Sequence, residues 1–160
     1  MNDWIVKLPR AVLCALVAAA GAAGAGPGPG AEVQRLVRSA PAAAVVAGHT
    51  LRLDAYAWRD FQSVSPPGGR PLRVRVQVAA AAGCAVPDGL DLDGLWVSDG
   101  SEWWELNVES APPTGAVEAL GVNGPKLDPG TLVDVVARIR EPAGTVHWIR
   151  AAAVAVQRTS

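Results

Sequence analysis

Histidine, cysteine, lysine and the aromatics other than tryptophan are nearly missing from this chain. Its 160 residues include two histidines, two cysteines, one phenylalanine and one tyrosine, and Lys7 and Lys126 are its only lysines. Each shortage excludes a class of chemistry. His49 and His147 stand far apart, and there is no Cys-x-x-Cys or HExxH, so the sequence offers no ligand set for zinc. Acidic residues outnumber basic ones, 15 to 14, so no basic surface is available to neutralise phosphates and nucleic acid is not an expected partner. There is no G-x-S-x-G elbow, no Walker loop and no dinucleotide fingerprint ahead of a helix. No serine stands in an evident set with His and Asp. Glu105 and Glu109 would share one side of a strand at a separation of about 13 Å, whereas glycoside-cleaving carboxylates work at about 5–9.5 Å. The expectation is a protein with no catalytic centre and no cofactor.

The N-terminus, in contrast, carries a clear pattern. MNDWIVKLPR supplies Lys7 and Arg10 against Asp3, AVLCALVAAA is a short apolar run, and Ala20-Gly21-Ala22 and Ala23-Gly24-Ala25 have A-x-A spacing. This is the layout of a secretory signal peptide, assigned to residues 1–25 with cleavage after Ala22 or Ala25. The run is too short to serve as a stable transmembrane anchor, which needs roughly 20 apolar residues. Cys14 lies inside it behind Leu13, which argues against lipidation. The chain is therefore expected in the periplasm or outside the cell, and its Ala, Gly, Pro, Val and Arg bias suggests a high-GC bacterial source. Losing Asp3, Lys7 and Arg10 with the leader moves the net charge from −1 to −2. It also leaves Cys84 as a single thiol that cannot close an internal disulfide.

Residues 26–44 open with GPGPG; EVQRLVRSA allows one helical turn or two, but no strong cap supports them, and the segment reads as a flexible linker. From residue 45 the hydrophobic period becomes two. TLRLDAYAW alternates Leu51, Leu53, Ala55 and Ala57 with Arg52, Asp54, Tyr56 and Trp58. LRVRVQVA and LVDVVARIR alternate in the same way, TVHWIRAAAVAVQR gives a longer, weaker strand, and residues 116–122 allow a short one. Tight Gly, Pro, Asn and Asp clusters separate these runs. The pattern over residues 45–160 predicts an all-β domain, an immunoglobulin-like β-sandwich of about seven strands, without the Cys…Trp…Cys pattern of antibody domains.

Three of the six tryptophans stand in LWVSDGSEWWELNV. Asp99-Gly100 is a hairpin signal. With a two-residue loop Trp96 opposes Trp103, and Leu95, Val97, Trp104, Leu106 and Val108 form the core face. Trp96, Trp103, Glu105 and Asn107 then lie outward. With a three-residue loop Trp96 would oppose Trp104 instead. Either a loop or the N-terminal segment covers the outward pair, or it is an exposed contact platform of the kind binding sites use. The second reading makes Trp96, Trp103, Glu105 and Asn107 the contact residues, with Trp58 as a second candidate. The expected partner is an envelope or secreted protein. The alternative is a glycan stacked on the same tryptophans, assisted by calcium at Asp88, Asp91, Asp93 and Asp99; Asx-turn bonding is the simpler role for these aspartates.

Overall fold

The computed structural model describes residues 29–110 and 116–160; the expected signal peptide lies outside them. The order of elements is α1 (Pro29–Arg38), β1 (Ala43–Val46), β2 (His49–Asp60), β3 (Arg73–Ala80), a 3-10 turn (Ala81–Gly83), β4 (Asp91–Ser98), β5 (Trp103–Ser110), β6 (Glu118–Val122), β7 (Leu132–Arg140) and β8 (Val146–Thr159). The expectation of a β-rich domain holds. Strand alternation produces it: in β3, Val74, Val76 and Val78 are buried while Arg73, Arg75 and Gln77 are exposed.

Seven strands close on themselves in the order β2-β3-β6-β5-β4-β7-β8, with β8 returning to β2. The β2–β8 contact is parallel and the other pairings are antiparallel. Closure hides backbone edges that would otherwise template aggregation. Two strands do the closing by changing partner along their length. β5 pairs with β4 up to Leu106 and with β6 from Asn107. β8 pairs with β7 up to Ala155 and with β2 from Val156. The bend in β8 falls at Ala153, held at φ +54°, whose N–H donates to Asp134 Oδ1 at 3.1 Å. Between Val133 and Val135 of β7 one residue, Asp134, stands against two of β8, Ala152 and Ala153, so the bulge is in β8.

The interior is aliphatic. Leu51, Leu72, Leu95, Ile139 and Ile149 are its largest fully buried side chains, and Trp104 packs against its edge from a half-buried position, as its place on the core face requires. At the closure the Arg59 side chain is buried, and among the described residues no carboxylate pairs with it. Its Nε donates to Arg70 O at 3.0 Å, Nη1 to Leu127 O at 2.8 Å and Nη2 to Gly68 O. Carbonyl acceptors on every side are what make such burial tolerable. The guanidinium also lies 4.9 Å from the Phe61 ring centroid, with Arg158 at 4.4 Å.

Residues 29–44, expected as part of a flexible linker, are instead an ordered helix and a first strand. β1 turns into β2 through Ala47 and Gly48, both at positive φ, in a two-residue hairpin. α1 carries Val33 and Val37 at helical spacing, with Ala40 just beyond its end, has Glu32 in its first turn and Arg35 and Arg38 in its last, and so suits the helix dipole at both ends. A helix of ten residues is marginal alone. Docking, which no local cap signal announces, stabilises it.

Candidate contact site

The outward face of β4, β5, β7 and β8 is where the tryptophans gather. Register sets the rows: Glu105, Trp96, Val136 and Arg150 lie side by side across the four strands. Trp103, Ser98 and Asp134 form the row nearer the hairpin turn, and Gly94, Arg138 and Trp148 the row on the other side. The Trp96 ring folds back over Gly94; a Cβ there would meet Trp96 Cζ3 at 2.6 Å. Its centroid is 5.0 Å from that of Trp148 at 47°, and Arg138 Cζ is 5.6 Å from the first ring and 5.8 Å from the second. These are contact distances for aromatic and cation–π pairs.

Arg138 is held in place from below. Its Nε donates to Asp93 Oδ1 at 2.6 Å, and Arg140 Nε donates to Asp93 Oδ2 at 2.8 Å. Burial works against ionising Asp93, but the hydrogen bonds and charges of the two arginines overcome it and hold the carboxyl below its ordinary range. Asp99 is also lowered, by its bonds from the Ser101 hydroxyl and the Ser101 and Glu102 amides. One aspartate is thus spent on arginines and another on its own turn. Among the described residues no three His, Cys, Asp or Glu side chains gather as a metal site.

α1 lies across this face and covers it. Val37 and Ala40 are buried against Trp96 and Val136, with Val33, Trp103 and Trp148 at the margin. The helix is clamped at its C-terminal end, where Arg150 Nη2 donates to Val37 O at 3.2 Å and Arg38 O at 2.5 Å, and Arg150 N donates to Pro41 O at 2.8 Å. A cation on the last carbonyls satisfies orphan acceptors and opposes the negative end of the dipole. Arg150 also sits 5.7 Å over the Trp103 ring and 3.6 Å from Asp134. Towards its N-terminal end the helix stands off the sheet. A groove of about 340 Å³ opens there, bordered by Val33, Gln34, Trp96, Trp103, Glu105 and Arg138.

The exposed-platform reading is therefore corrected at Trp96, which is only 5 % exposed. The hairpin is corrected too. Its loop has four residues, Asp99 to Glu102, so Trp96 faces Glu105 and Trp103 faces Ser98. Neither expected register occurs. Trp103 is half-buried and Glu105 exposed, both at the groove. Asn107 is exposed but belongs to the part of β5 that pairs with β6, opposite Val122. Trp58 stands apart, half-buried on β2 opposite Arg73, with its ring 5.4 Å from that of Tyr56. Sequence reasoning missed Trp148, Arg138 and Arg150, and it allowed the N-terminal segment as cover for the outward pair without giving it a full helix. Two signals pointed to them: the unbroken apolar runs Leu95-Trp96-Val97 and Val135-Val136-Ala137, which mark strands buried on both faces.

No protein-family model matches the chain, and no curated protein matches it. Among solved structures it is similar to murine CRIg, at 11 % identity over 69 % of this chain and 98 % of that one, with a TM-score of 0.34. A score that low defines neither fold family nor function.

Proposed function

We propose that this protein is an exported, non-catalytic binding module that contacts an envelope or secreted protein in the periplasm or outside the cell. The arrangement we infer is an immunoglobulin-like sandwich. Its support is the strand order. Lettered in chain order from β2, the strands run A-B-E-D-C-F-G around the ring, the neighbour order of a constant-type immunoglobulin domain whose layers are ABED and CFG. Export rests on the signal-peptide pattern at the N-terminus.

The observation that carries the contact reading is the outer face of β2 and β3. Tyr56 is 50 % exposed there, stacked beside Trp58 and flanked across the strand by Arg73 and Arg75. Aromatic and arginine side chains on an accessible sheet face are what protein interfaces enrich. α1 leaves this patch free while it hides Trp96.

The test is site-specific photo-crosslinking in the producing cell. A photoreactive phenylalanine analogue at position 56 should trap one discrete protein adduct in the envelope or medium fraction, and Trp58→Ala should abolish it. Unprocessed protein in the cytoplasm, or no adduct from position 56, would end this reading.

A further inference from the structure

We infer that the groove between α1 and the β4–β5 hairpin is a binding site for an uncharged hexopyranose unit. It lies on a different face from the Tyr56/Trp58 patch and stands or falls without it. At about 340 Å³ the groove has the size of a small-ligand site. Its walls combine two kinds of surface. Half-buried Trp103 presents indole, the almost wholly buried Trp96 adds only a margin of its ring, and Val33 extends that apolar wall from the helix. Gln34 and Glu105 stand at the rim, both exposed, and neither takes part in a side-chain hydrogen bond among the described residues.

A pyranose ring matches that division. Its axial C–H face is apolar and packs on an indole, while its equatorial hydroxyls need donors and acceptors in the plane of the ring. A carboxamide and a carboxylate supply both. Charge narrows the class. Arg138 and Arg140 share the single charge of Asp93, and Glu105 supplies a second carboxylate, so these four groups carry no net charge. Glu105 opposes an anionic ligand. A purely apolar ligand would leave Glu105 and Gln34 to be desolvated without partners. The site is also preformed. Arg150 fixes the C-terminal end of α1 to the sheet, so the helix keeps the groove open without being ordered by the ligand.

The experiment follows the indole N–H signals of the full processed protein by NMR while cellotetraose, maltotetraose and chitotetraose are added in turn. At least one sugar should give a saturable shift centred on Trp103 and Trp96. Trp103→Ala should weaken that binding at least tenfold, Glu105→Gln should weaken it with the fold intact, and Trp58→Ala should leave it unchanged. No shift from any of the three sugars at about 10 mM, weaker than any useful affinity, would overturn the inference. So would a shift that survives both groove substitutions. Loss of the position-56 adduct with sugar binding retained would count against the protein-contact reading alone.

Discussion

Arg138 lies under two indoles because Asp93 sets its position, and that dependence has a pH signature. The folded pKa of Asp93 is lowered, so its contribution to stability is present above the ordinary aspartate range and is lost as pH falls through the folded value, below about 4. Both arginines keep solvent contact, with side chains 27 % and 42 % exposed. A discounted contribution of about 1 kcal/mol is therefore appropriate. Denaturant melts of Asp93→Asn and the parent protein should differ by about that amount at pH 6 and converge near pH 2. Equal separation at both pH values would show that the ion pairs do not carry the effect. None of this was legible in the sequence, where Asp93 reads as one more turn aspartate. Which carboxylate meets which guanidinium depends on β4 and β7 being neighbours, and those strands lie about 40 residues apart. Arg59 is similar: the three carbonyls that make its burial possible come from two separate loops.

Among the elements, the strands were the most readable and the helix the least. Period two survives an error in loop length that a register assignment does not. The hairpin loop is two residues longer than Asp99-Gly100 implies, which moves every cross-strand partner by two and leaves every side chain on its expected face. Trp104 therefore faces the core, as expected, although Val97 rather than Leu95 is its partner. β1 was missed because AAVV is too short to show alternation. The full length of α1 was missed because its stability is tertiary: the partners of Val37 are Trp96 and Val136, contributed by β4 and β7. Val37→Asp should put a carboxylate into the apolar contact with Trp96 and Val136 and release the helix. Circular dichroism should lose helix signal while the strand signal stays. Indole emission should move to longer wavelength as Trp96 meets water, and stability should fall by about 2 kcal/mol. An unchanged emission maximum would mean that α1 is not what shields Trp96.

At the scale of the molecule, two faces of one ring of strands have different fates. The β2–β3 face keeps Tyr56 in solvent, while the β4–β5–β7–β8 face carries its own helix and retains only a groove beside it. Alternation along each strand told inside from outside. It could not tell which outside face would be covered, because that depends on a segment remote in sequence folding back. Among the described residues no helix is long and apolar enough to cross a membrane. The most direct measurement is the nuclear Overhauser contact between the Val37 methyl groups and the Trp96 indole ring. Strong cross-peaks between them, with helical chemical shifts over residues 29–38, are the expected result. Random-coil shifts over that segment and no Val37–Trp96 cross-peak would contradict the covered face on which the site is built.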